Sequence, residues 1–192
     1  MSKKIVIADD ESITRMDIRE MLEEAGYDVV GEASDGFDAI EMCKKFMPNI
    51  VIMDIKMPLL DGINASKIIL KEGLADGIIL LSAYSGTNFV EKAKNAGVIG
   101  YLVKPLDNKS LIPALEIALA KSLEIKEIKT NMSNVQSKLE GRKIIEKAKG
   151  ILMNQNNITE EEAFSRIRKL SMKKRVSMEA ISEIIIMSKE VD

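Results

Sequence analysis

The chain has 192 residues, 46% hydrophobic and 30% charged, which allows one ordinary core plus a small appendage, and its net charge of -2 excludes a global field drawing the whole molecule to nucleic acid. The absence of histidine excludes histidine-based metal sites, a Ser-His-Asp triad and any phosphohistidine carried by this chain. No apolar run approaches the ~20 residues needed to cross a bilayer, so the expected location is the cytoplasm, with no membrane partner.

From residue 4 to 121, short apolar runs alternate with amphipathic helical patterns, the signal of a parallel sheet covered by helices. The strand candidates are Ile5-Val-Ile-Ala8, Val29 to Ala33, Ile50-Val-Ile-Met53, Ile78-Ile-Leu-Leu-Ser82 and Gly100-Tyr-Leu-Val103. Helices are expected near 12–25, 36–46, 64–72, 87–96 and from 110. The lone Cys43 falls among apolar residues of the second helical pattern and reads as a buried structural thiol. The fold class is α/β, a doubly wound five-stranded parallel sheet, and in such sheets ligands sit beyond the carboxyl ends of the strands.

From Leu111 onward, positions 111, 114, 118, 121, 125, 128, 132, 135 and 139 carry Leu, Ala, Ala, Lys, Ile, Ile, Met, Val and Leu. Only Lys121 breaks this apolar seam, and its unbroken three-four spacing indicates a coiled coil. Ile125, Ile128, Met132, Val135 and Leu139 would pair two chains; the alternative is a monomeric linker helix packed on its own neighbours. Pro113 is tolerable if the helix begins near Ser110, because first-turn amides have no intrahelical partner. Beyond it, Thr159-Glu-Glu-Glu162 is a capping box that starts a helix carrying Ala163, Phe164, Ile167 and Leu170 on one face. After the polar turn Met172-Lys-Lys-Arg175, a last helix runs from about Ser177. The expected organisation is a sheet domain over 1–121, a coiled-coil linker over 122–138 and a small three-helix module over 139–192.

Asp9 and Asp10 close the first strand and Asp54 the third, so a parallel sheet gathers three carboxylates at one edge. Three anions repel, and a hard divalent cation with oxygen ligands, magnesium, is the physical remedy. Lys104 follows the fifth strand and Ser82 ends the fourth, adding an ammonium and a hydroxyl to the same place. Together these groups fit a phosphoryl group: a carboxylate attacks phosphorus while cation and ammonium neutralise the equatorial oxygens. Each residue alone has a bland reading, an acidic helix cap or a solvated lysine, but five residues after four strands are hard to obtain by chance.

Residues 3–121 resemble a bacterial response-regulator receiver domain through Asp9-Asp10, Met53-Asp-Ile-Lys-Met-Pro-Leu-Leu-Asp-Gly62, Ser82-Ala83 and Lys104-Pro105. The resemblance implies an aspartyl phosphate at Asp54, donated by a sensor histidine kinase. It implies magnesium held directly by Asp10, Asp54 and the backbone carbonyl of Lys56, with Asp9 acting through water. It implies that Ser82 moves toward the phosphoryl group while Tyr101 turns inward, and that a cis peptide precedes Pro105. The receiver itself would be a switch and not an enzyme, with phosphorylation and dephosphorylation its only self-catalysed chemistry.

The stretch from Leu139 to Asp192 holds eleven Lys/Arg against nine Asp/Glu, a surplus of two that leaves residues 1–138 at -4. Arg142, Lys143, Lys147 and Lys149, then Arg166, Arg168 and Lys169, then Lys173, Lys174 and Arg175 form clusters that could bind phosphates or simply be solvated helix faces. A DNA-reading last helix should carry donors near its start. It carries Glu179 and Glu183, with no Lys or Arg before Lys189, which suits an RNA loop beside the helices more than a major groove.

Residues 139–187 resemble an ANTAR domain, the RNA-binding antiterminator module, through Arg142, Ile145-Glu-Lys-Ala-Lys-Gly150, Leu152-Met153, Glu161-Glu-Ala-Phe164, Arg168 and Ser171-Met172. Arg175 departs from the family, which often has Asn there. The resemblance implies that Ala148, Lys149, Gly150 and the nearby basic residues contact paired hairpin loops of a leader mRNA. Gly150 has a physical rationale, since the missing side chain lets a nucleobase or backbone approach the helix. The expected scheme is phosphorylation of Asp54, pairing of two chains through the coiled coil, and bivalent RNA binding that lets transcription continue. The whole-chain pattern is closest to antiterminators of ethanolamine-utilisation operons. The alternatives are a DNA-binding response regulator and a regulator that docks onto another protein.

Overall fold

The computed structural model describes residues 3–83 and 87–190, without the side chains of 87–89 and 189–190. Five strands, β1 (Lys4–Ala8), β2 (Asp28–Ala33), β3 (Ile50–Asp54), β4 (Gly77–Ser82) and β5 (Gly100–Val103), form one parallel sheet in the order β2-β1-β3-β4-β5. Their apolar runs alternate between two faces, as the period of two requires. Val6, Ala8, Val51, Met53, Ile78 and Leu80 face a core with α2 (Gly36–Phe46), α3 (Gly62–Glu72) and α4 (Thr87–Ala96). Ile5, Ile7, Ile50, Ile52, Ile79 and Leu81 face the other, where Ile18 and Leu22 of α1 (Ser12–Glu24) meet Leu111, Leu115, Ala118 and Leu119 of α5 (Asn108–Asn156). Cys43 is buried on the α2 side and burial pushes its thiol up to about 12, as an inert core cysteine requires.

Acidic caps start two helices close to the carboxyl edge of the sheet. Asp35 accepts the amides of Phe37 (2.8 Å) and Asp38 (3.0 Å), and Asp61 accepts that of Asn64 (2.9 Å). Helix α5 begins at Asn108, two residues earlier than expected, because Asp107 caps it by accepting the Ser110 amide at 2.8 Å. Pro113 therefore lies beyond the first turn, where it removes one helical hydrogen bond. The seam also divides. Leu111 and Ala118 pack with Leu115 and Leu119 against the sheet, following a 3.6-residue helical face, and Lys121 is exposed. Only Ile128, Met132, Val135 and Leu139 stand out, 51–68% exposed, with Ile125 half-buried.

The chain forms two compact units, Met1–Glu127 and Ile128–Asp192. In the second, the end of α5 packs with α6 (Glu160–Lys174) and α7 (Met178–Glu190) around Ala148, Leu152, Ala163, Ile167 and Ile181. Thr159 and Glu162 make the expected capping box, the Glu162 amide bonding Thr159 Oγ1 at 3.3 Å and the Thr159 amide bonding Glu162 Oε2 at 2.9 Å. Of the expected α6 face, Ala163 and Ile167 are buried while Phe164 and Leu170 are partly exposed. Arg175 ends α6 with φ 56, a left-handed cap that Gly or Asn adopts more readily than Arg.

Candidate functional site

The sheet brings Asp9, Asp54, Ser82 and Lys104 together at its carboxyl edge, because β1, β3, β4 and β5 are successive neighbours. Asp54 is 5% exposed, with Oδ1 2.7 Å from Lys104 Nζ and Oδ2 accepting the Lys56 amide at 2.6 Å. Lys104 Nζ also lies 2.6 Å from Oδ2 of the fully buried Asp9, whose Oδ1 accepts the Glu11 amide at 3.0 Å. One ammonium thus bridges two carboxylates that would otherwise repel. Burial pushes the Asp54 carboxyl above the usual range, while Lys104 pulls the other way. Burial would lower the Lys104 ammonium, but its bonds to Asp54 and Asp9 leave it raised overall.

Asp10, Glu11, Asp54, Ile55, Lys56, Ser82, Ala83 and Lys104 line a pocket of about 210 Å³. Asp10 is exposed at its rim, Ser82 is buried at the end of β4, and Tyr101 is half-buried on β5 against the α2–α4 side of the core. The Lys104–Pro105 peptide is cis, and the Lys104 amide donates to the Ser82 carbonyl at 2.9 Å. Gly62 lets α3 start directly under the acceptor, since a Cβ there would run into the Asp54 carbonyl oxygen. Glu11, and Arg15 one turn on, were not apparent as site residues from the sequence. Glu11 lines the pocket, and Arg15 Nη1 donates to the Asp9 carbonyl at 2.6 Å, holding the end of β1; the position of Glu11 directly after the acidic pair, with Arg15 four residues on, is the signal that could have found them.

The donors suit a magnesium ion. Among the described residues no three acidic or cysteine side chains are grouped to bind a metal unaided. Asp10, Asp54 and Lys56 line the pocket, with Asp9 and Asp54 both bonded to Lys104, and such a sparse oxygen set is of the sort magnesium completes with water.

In the second unit, Arg142, Lys143, Lys147, Arg168, Lys173, Lys174 and Arg175 are all exposed. Two expected contacts are not presented to solvent. Ala148 is fully buried in the helical core, because the inward stripe of α5 passes through it, and Lys149 is 7% exposed beneath two carboxylates. Gly150 has open space where a Cβ would project.

A five-stranded parallel sheet with an acidic pair, an acceptor aspartate, a hydroxyl and a lysine converging on one edge defines the receiver class of response regulators. Residues 5–116 match the response regulator receiver domain and residues 133–186 the ANTAR domain, so the chain belongs to the response regulators that join these two domains. It is 41% identical over 184 residues to the transcriptional regulatory protein PdtaR of Mycobacterium tuberculosis, covering 96% of this chain and 89% of that protein. It is 39% identical to the chemotaxis protein CheY of Thermotoga maritima over 60% of this chain and 96% of CheY.

Among solved structures, a LuxR-family response regulator from Aurantimonas is 35% identical with a TM-score of 0.59, over 63% of this chain and 87% of that one. CheY from Borrelia burgdorferi, in a complex with CheX, BeF3 and Mg2+, is 27% identical with a TM-score of 0.56, over 59% of this chain and 86% of that one. Both families are regulatory and not enzymatic; a receiver implies a histidine kinase partner, and an ANTAR domain implies RNA binding. No helix among the described residues is long and apolar enough to cross a membrane.

Proposed function

We propose that Asp54 accepts a phosphoryl group from a sensor histidine kinase and that the aspartyl phosphate controls binding of leader-RNA hairpins, giving transcription antitermination. The observation that carries the first half is the Lys104 ammonium, 2.7 Å from Asp54 and 2.6 Å from Asp9, beside the Ser82 hydroxyl. An Asp54 oxygen attacks phosphorus as the bond to the donor imidazole breaks, Lys104 shifts onto the new phosphoryl oxygens, and Ser82 donates to one of them. Magnesium, held by Asp10, Asp54 and the Lys56 carbonyl with Asp9 acting through water, would offset the charge of the transferring group. Tyr101 follows Ser82 inward, and the change is passed on by the β5–α5 side of the sheet.

For the second half, the support is the exposed basic surface of unit two together with the ANTAR match over residues 133–186. Arg142, Lys143, Lys147, Arg168, Lys173, Lys174 and Arg175 supply phosphate contacts, and Gly150 the close approach. Within an organisation of receiver (1–121), linker (122–138) and RNA module (139–192), Ile125, Ile128, Met132, Val135 and Leu139 pair two phosphorylated chains. Two short heptads make a weak dimer, so bivalent RNA binding amplifies a modest change in pairing. On the sequence resemblance to ethanolamine-utilisation antiterminators alone, we extend the proposal to a catabolic leader transcript.

The test is to crosslink RNA to the full chain in cells, sequence it, and measure binding of the recovered hairpins with and without a small-molecule phosphodonor and magnesium. RNA affinity should rise with the phosphodonor, and Asp54→Ala should remove both the rise and the dimer. Equal affinity with and without phosphodonor, or tighter binding to the corresponding duplex DNA, would sink the scheme.

A further inference from the structure

Ala148-Lys149-Gly150 reads as one contact motif in sequence, and the structure separates its members. Ala148 is core, and Gly150 borders open space. Lys149 lies between them with Nζ 2.8 Å from Glu146 Oε1 and 2.7 Å from Glu160 Oε1. Glu146 is one turn back on α5, whereas Glu160 opens α6, directly after the Thr159 cap. The lysine side chain is 8% exposed and the two carboxylates are 66% and 67% exposed, so the acids cover the cation. The three groups together carry -1, and a phosphate approaching Lys149 meets net negative charge. Displacing either carboxylate would take a hydrogen-bond partner from a lysine whose side chain is only 8% exposed. Both bonds favour the charged lysine, and Lys149 in turn holds the Glu160 carboxyl below its ordinary range.

We infer that Glu160 is a positioning residue for RNA recognition: through Lys149 it braces α6 against α5 and sets the spacing between Gly150 and Arg168, and Lys149 is that brace and not a phosphate contact. The inference rests on the RNA reading above. A second polar link between the two helices, Arg166 Nη1 to Asn156 Oδ1 at 3.2 Å, is exposed, whereas the Lys149 link is partly buried.

The brace and a direct contact differ in the sign of one substitution. Glu160→Gln removes a negative charge from a phosphate-binding module. If Lys149 touched RNA, or if Glu160 merely masked it, binding would strengthen. The brace requires the opposite: Glu160→Gln in the full chain weakens binding of the crosslink-recovered hairpin by roughly three- to tenfold and destabilises the helical unit. Glu161→Gln, which removes the same charge from the same turn but not a bond to Lys149, does not weaken RNA binding. Lys149→Met reproduces the loss, and Glu160→Gln adds nothing to it in the double variant. RNA binding by Glu160→Gln equal to or tighter than that of the parent overturns the inference. If the parent chain itself retains no hairpin, the RNA reading has failed, and the thermal cycle alone decides the brace: non-additive losses uphold it and additive losses overturn it.

Discussion

Gly150 tests at the scale of one residue whether the protein or a ligand wants the position. A glycine inside a helix costs about 0.5–1 kcal/mol relative to alanine. No packing among the described residues requires it, because a Cβ would meet nothing within 4 Å. Gly150→Ala should therefore raise the thermal stability of the helical unit while lowering its affinity for hairpin RNA. A stability gain with RNA affinity unchanged would show that nothing approaches the helix there. Gly62 is the contrasting case, held by the chain's own backbone at Asp54.

Among the elements, α1 is tied to β2 by a charged network. Arg19 Nε lies 2.6 Å and Arg15 Nε 3.2 Å from the two oxygens of Glu32. Burial would raise the Glu32 carboxyl, but the bonds from Arg19 and Arg15 hold it below its ordinary value of 4.5. A lowered pKa means the stabilisation is present above the unfolded-state value and is lost as pH falls through the folded one. Glu32→Gln should thus cost ~1 kcal/mol or less near neutral pH, with the difference from the parent fading below about pH 4.5 in thermal melts. On α5, Val135 is 57% exposed, so Val135→Asp should leave the monomer folded. It should nonetheless abolish phosphodonor-induced dimers in sedimentation, because a dimer seam would bury an unpaired charge. Dimers that persist in this variant would place the interface elsewhere.

For the whole molecule, the separation of cores matters most. The sheet cores and the cluster around Ala148, Ala163 and Ile167 share no residue, and the chain clusters into two units. Ile167 is fully buried in the smaller one, and Ile167→Ala should cost about 2–4 kcal/mol there. RNA binding should be lost while magnesium-dependent labelling of Asp54 by a phosphodonor continues unchanged. Loss of both together would mean that the two units fold as one.

The meeting of Asp9, Asp54, Ser82 and Lys104 was legible in the sequence, because a parallel sheet must deliver these strand-end residues to one edge whatever the loops do. The capping box at Thr159 and the strand positions were readable for the same reason: local hydrogen bonding and a period of two are properties of the chain itself. Tertiary structure decided what periodicity cannot. It assigned Leu111 and Ala118 to the sheet and left Ile128 to Leu139 open, since a helical stripe names a buried face without naming its partner. It also sent Ala148 into a core and put Lys149 under Glu160, eleven residues away. Consecutive helical residues point 100° apart, so a motif contiguous in sequence is divided among a core, a brace and an open face as soon as a second helix packs beside it.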